Sequence, residues 1–207
     1  MKKILVLALA AVATSSFAGV WNEVGDAIDL VPGQQTIGAG SLDAISGNLD
    51  ANDVDMYCIN IVDEAHFSAS LIGGATFDSQ MWLFNEQGFG VAFNDDGNNG
   101  ASLQSALSSL LVNSNGHYLL AVSKYDRDAV DGAGAALWND SPFGSERAPD
   151  GPGAANALAG WTGSTTAGGS YRIALTGTEY CAVPEPGTIA ALGFGAAVLL
   201  RRKAKKA

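Results

Sequence analysis

Histidine and cysteine are scarce in this chain, two of each, and 11 Lys and Arg stand against 21 Asp and Glu. Each shortage removes a class of chemistry. Nucleophilic catalysis by Ser or Cys needs a general base beside the nucleophile. Only His66 and His117 are on offer, both in segments that read as strands, and no G-x-S-x-G elbow accompanies them. Zinc needs Cys and His at ligand spacing, and neither H-E-x-x-H nor C-x-x-C occurs. A Gly-rich phosphate loop is also missing. Acids are plentiful enough to form the carboxylate pair of a glycoside hydrolase, but their spacing singles none out. The chain therefore reads as a non-enzyme with no catalytic residues, and a small secreted hydrolase is the rival reading.

The shortage of cations is sharper than the totals suggest. Lys2, Lys3, Arg201, Arg202, Lys203, Lys205 and Lys206 are terminal, so residues 19–183 keep four basic residues against 20 acidic ones, a net charge near −16. Such a surface repels nucleic acid and anionic membranes and is compatible with bound divalent cations.

The two ends carry signals. Residues 1–18 have Lys2 and Lys3, an apolar run over 4–12, and Ser16-Phe17-Ala18 with small residues at the −3 and −1 positions. This is the pattern of a secretory signal peptide cut between Ala18 and Gly19, which implies the Sec translocon and signal peptidase as partners. At the other end Pro184, Glu185 and Pro186 form a stiff extended motif, since each proline fixes φ and removes a backbone donor. An uncharged run, 188–200, predicts a single apolar helix, and the basic cluster follows at once. At about 1.5 Å per residue the run covers about 20 Å of a hydrocarbon core about 30 Å thick, short for a permanent anchor and suited to a transient one. The order Pro-Glu-Pro, apolar helix, basic cluster over 183–207 resembles the PEP-CTERM sorting signal of Gram-negative bacteria. That resemblance implies recognition and removal of the tail by an exosortase, transient inner-membrane anchoring, and delivery to the cell surface or medium in an organism that makes extracellular polysaccharide.

Cys58 and Cys181 both fall in the exported portion, and an even count in an oxidising compartment predicts one disulfide between them. Between the termini, residues 19–41 read as a linker. From 42 onward short apolar runs alternate with Gly, Asn, Asp and Ser at strand intervals. Strands are predicted over 42–49, 53–62, 66–72, 80–84, 90–94, 106–112, 117–123 and 170–177, with a helix as the alternative at 102–112. In 53–62, Tyr57, Ile59 and Ile61 alternate with Met56, Cys58 and Asn60, the period of a half-buried strand. Residues 126–169 are rich in Gly, Ala, Pro and Asp, with Leu137, Trp138, Phe143, Leu158 and Trp161 as scattered anchors. A long loop pinned by its aromatics is expected there, a surface Trp serving as a sugar platform being the other reading. The fold class is all-β, a β-sandwich or jelly roll over 42–182. The segments DVDMYCINI, ATFDSQMWLFNEQGFGVAFNDDG and NGHYLLAVSKYDRDAVDGAG resemble the bacterial pre-peptidase C-terminal domain. That likeness implies a secreted, non-catalytic β-sandwich module.

One constellation is oxygen-rich: Asp53 and Asp55 before one strand, Asp78 in a turn, and Asp95 and Asp96 in the turn NDDGNNG. Calcium, which takes six to eight oxygens, is the one candidate cofactor, and a solvated turn is the alternative. Asp126, Asp128 and Asp131 resemble a calcium loop less well, because the third acid falls one place late. The functional expectation is a non-catalytic secreted or cell-surface protein of the extracellular polysaccharide matrix or biofilm. A carbohydrate-binding adhesin is the alternative, and exopolysaccharide is the implied partner.

Overall fold

Consecutive apolar residues, rather than strict alternation, mark the strands at the centre of this fold. The computed structural model describes residues 19–182. The leader 1–18 with Ala18, the Pro184-Glu185-Pro186 motif and the predicted apolar helix lie outside the described residues. The strands are β1 (Val20–Asn22), β2 (Gln34–Gln35), β3 (Ala44–Leu49), β4 (Val54–Ile61), β5 (Ser68–Ser70), β6 (Ser79–Asn85), β7 (Gly90–Asn94), β8 (Ala106–Leu107), β9 (Gly116–Lys124), β10 (Asp128–Val130), β11 (Gly160–Thr162), β12 (Gly169–Thr176) and β13 (Thr178–Tyr180). One sheet has the order β1-β3-β12-β5-β8. The other runs β13-β4-β9-β6-β7, with β2 added alongside β4. The sheets stay open and pack face to face, as expected of a sandwich.

The inner faces of both sheets form one core. Ile45 and Leu49 of β3, Ala69 of β5 and Tyr171, Ile173 and Leu175 of β12 meet Tyr57, Ile59 and Ile61 of β4, Met81 and Leu83 of β6, and Leu120 and Val122 of β9. The predicted alternation of 53–62 holds in direction, since Cys58 faces away from Tyr57. Its half-burial does not. Val54, Met56 and Cys58, with Trp82, Phe84, Phe93, Leu119 and Ala121, build a second core on the outer face of the β4-β9-β6 sheet, closed by Ala129, Leu137, Trp138 and Leu158. The excursion 126–169 is the lid of that second core, and within it β10 and β11 pair antiparallel. A strand buried on both faces carries unbroken apolar sequence, as in MWLF of β6 and YLLAV of β9. β12, with one face in solvent, alternates throughout its length.

Three local expectations change. His66 belongs to a 3-10 turn, Glu64–His66, because β5 begins only at Ser68. The 102–112 segment is neither one strand nor one helix: β8 spans two residues and a 3-10 turn, Ser109–Leu111, follows, with the Ser108 side chain accepting from the Leu110 N–H. The 19–41 segment is woven into the fold, with β1 parallel to β3 and β2 parallel to β4. Both ends of the described chain are held by residues 36–44. Gly19 O accepts from the N–H groups of Asp43 (2.7 Å) and Ala44 (3.1 Å), and Ala182 N–H donates to Thr36 O at 3.0 Å.

Candidate cation site and sorting segment

The disulfide is formed between Cys58 and Cys181, whose Cα atoms are 5.6 Å apart. Strand register puts them there: β13 pairs with β4 as Thr178↔Ile61, Glu179↔Asn60 and Tyr180↔Ile59, so the next residue faces Cys58. Buried Thr36 ties the same point, its Oγ1 donating to Cys58 O at 2.7 Å and accepting from Cys181 N at 3.0 Å. His117 lies close to both sulfurs. Sulfurs bonded to one another offer no thiolate, so this trio is not a zinc site. His117 instead pairs with Glu86, and His66 with Asp63, both at the surface.

The acids singled out in the sequence fall into two groups rather than one. Asp55 joins Glu23 and Asp26, with one carboxylate oxygen from each lying within 4.8 Å of the others. Glu23 and Asp26 come from the segment read as linker, whose weak patterning gave no sign of them. Asp53 stands beside this group and accepts from the Asp50 N–H at 3.0 Å. Asp55 is wholly buried. Tyr171 Oη donates to its Oδ2 at 2.5 Å, which leaves Tyr57 Oη to donate to Tyr171 at 2.7 Å. Burial, offset in part by Tyr171 and reinforced by Asp53 and Glu23, pushes the Asp55 carboxyl up to about 9. Its Oδ1 is buried without a hydrogen-bond donor.

The second group is Asp78, Asp95 and Asp96, again with one oxygen from each within 4.8 Å of the others. Asp78 immediately precedes β6 and Asp95 immediately follows β7, so strand pairing brings the two turns to one end of the sheet. Asn98 and Asn99 take left-handed conformations in the turn that follows, which Asn tolerates better than most residues. Burial raises Asp95 to about 8, helped by Asp96, Asp78, Asp140 and Asp128. Asp128 is pushed to about 6 by burial and then by Asp126. Asp131 is committed elsewhere: Oδ1 accepts from the N–H groups of Ala133 and Ala135 at 2.9 Å, and Oδ2 from Asn156 Nδ2 at 2.6 Å. It caps its own turn, which the late third acid foreshadowed.

The raised carboxyls fix the sign of the pH response. Folded Asp55 and Asp95 keep protons that the unfolded chain releases above about pH 4. Their stabilisation is complete below that pH and is lost as pH rises towards 8 and 9, by up to about 1.4 kcal/mol per unit for each group. Without divalent ions, the urea midpoint is expected to be lower at pH 8 than at pH 5. Asp55→Asn should flatten the slope, and a midpoint that rises over this range would contradict the assignment. The groups facing Asp55 are Glu23, Asp26, Asp53, Tyr57 and Tyr171.

Residues 182–205 match the PEP-CTERM protein-sorting motif. No curated protein matches the chain. The motif implies an extracellular protein, secreted or on the cell surface, with an exosortase as its processing partner. It begins one residue after Cys181, where the β13 edge ends, and among the described residues no helix is long and apolar enough to cross a membrane.

Proposed function

We propose that this chain is non-catalytic cargo of the exosortase route, exported by the leader 1–18, cut before Gly19, held briefly at the inner membrane of a Gram-negative cell by its tail, and delivered to the extracellular polysaccharide matrix. The observation that carries the reading is the sorting motif at 182–205 directly behind a folded, disulfide-closed domain. We read that domain as a module of the pre-peptidase C-terminal kind. The two histidines sit at the surface against carboxylates, which suits a structural protein better than a hydrolase. The tryptophans are also engaged within the domain. Trp82 and Trp138 are buried, Trp21 Nε1 donates to Gln34 Oε1, and Trp161 Nε1 donates to Asp29 O. This weighs against an open sugar platform and favours a matrix component over an adhesin.

The test is Glu185→Ala in cells that sort such tails. The variant is expected to accumulate in the membrane fraction at unprocessed mass, while the parent is extracellular and lacks 188–207. Normal release of the variant would overturn the exosortase reading. Glycan pull-down on the released protein separates the alternatives, because retention on one defined polysaccharide would favour the adhesin.

A further inference from the structure

Asp95 sits at the far end of the β9-β6-β7 ladder, immediately after β7. It is only 2% exposed, and its Oδ1 is buried without a hydrogen-bond partner. Asp78 Oδ1 is buried and unpartnered too. Both residues line a pocket of about 170 Å³ together with Asp96, Leu103, Tyr125 and Phe143. A buried carboxylate oxygen with no donor is unfavourable by roughly 1–3 kcal/mol or more, and here two of them converge with a third acid.

We propose that the pocket formed by Asp78, Asp95 and Asp96 is a binding site for a hard divalent cation, Ca²⁺. The donor set is entirely oxygen, the preference of Ca²⁺. Three carboxylates supply between three and six oxygens, and the open side of the pocket admits water for the remainder. Lys124 is the neighbouring cation that acts on Asp78, but its Nζ donates to Thr166 Oγ1 at 2.5 Å. Asp53 and Asp55 take no part.

Three chain reversals meet at this point. Tyr125 N–H donates to Asp78 O at 3.0 Å, and Asp96 N–H to Phe143 O at 3.1 Å. An ion held by Asp78, Asp95 and Asp96 therefore fastens the end of the second sheet to the excursion that covers it. Affinity in the range of extracellular calcium modules, about 10⁻⁴–10⁻³ M, suits a protein that meets the ion outside the cell.

The experiment is thermal unfolding of the purified protein near pH 7.5 in chelator, in CaCl₂, and in NaCl of equal ionic strength. Calcium at 100 times its Kd is expected to raise the midpoint by about 5–10 °C, with the NaCl control well below that. Asp95→Asn should lose the calcium response. Asp78→Asn, at a less buried position, gives the same readout if Asp95→Asn does not fold. Asp55→Asn should keep the response. Equal midpoints in calcium and NaCl overturn the proposal, as does a calcium response that survives Asp95→Asn or disappears in Asp55→Asn.

Discussion

Replacing Cys58 and Cys181 together by Ala is expected to destabilise the domain by about 2–5 kcal/mol, a large fraction of the 5–15 kcal/mol typical of a whole domain. The two cysteines are 123 residues apart in sequence. Closing so long a ring removes conformational freedom from the unfolded chain worth about 5 kcal/mol in the chain-entropy description, of which engineered bridges often deliver less. The folded state adds a local term. β13 is three residues long and lies at the edge of its sheet, so without the bridge residue 181 is held against Cys58 by the short ladder, by Thr36 and by the Gly38 N–H bond to Ala182 O. Urea unfolding of the double variant, with and without reductant, measures the loss. A midpoint equal to that of the oxidised parent, or two free thiols in non-reducing peptide maps of secreted protein, would remove the bridge from the stability of this domain.

Trp82→Ala should cost a comparable amount, about 3–5 kcal/mol, by opening a cavity in the second core. Trp82 is 1% exposed. It stacks on Phe93 at 5.3 Å between ring centroids and meets the edge of Trp161 at 4.9 Å. Phe84 and Phe93 in turn contact Trp138 at 5.7 and 5.8 Å. These rings join the sheet to the excursion, so the variant should lose near-ultraviolet circular dichroism and become sensitive to protease between 131 and 157 before the sandwich itself unfolds. Phe89→Ala, at a ring 43% exposed, serves as the comparison and should change stability by no more than about 0.5 kcal/mol. Simultaneous loss of the excursion and both sheets in Trp82→Ala would show one cooperative unit where two layers of core are described.

The inner core was readable because its information is local. Tyr57, Ile59 and Ile61, or Tyr171, Ile173 and Leu175, declare their face within a few residues. The second core was not readable in that way. Leu137, Trp138, Leu158 and Trp161 come from a stretch with no period, and only their destination on Trp82, Phe84 and Phe93 gives them meaning. A hint was nevertheless present, since MWLF and YLLAV leave no polar position for a solvent face. β1 and β2 are shorter than any pattern that could reveal them, and they exist because β3 and β4 offer open edges. The acids divide similarly. Asp78, Asp95 and Asp96 were visible as turn residues but not as a group apart from Asp53 and Asp55, and the grouping of Asp55 with Glu23 and Asp26 depends on where an unpatterned segment lands.

The bridge from Cys58 to Cys181 also decides how this domain carries a load. Its two ends, Gly19 and Ala182, are each hydrogen-bonded to backbone within residues 36–44. If the two ends are drawn apart, tension passes from residue 58 to residue 181 through the sulfurs, and everything between them is bypassed. Fully extended, residues 19–58 pay out about 130 Å, against about 550 Å for a chain of this length with no bridge. The segment that yields contains β1, β2 and β3, the group Glu23, Asp26 and Asp55 among its carboxyls. The β9-β6-β7 ladder, the excursion and the Asp78, Asp95 and Asp96 pocket lie between residues 58 and 181, inside the loop that the bridge closes.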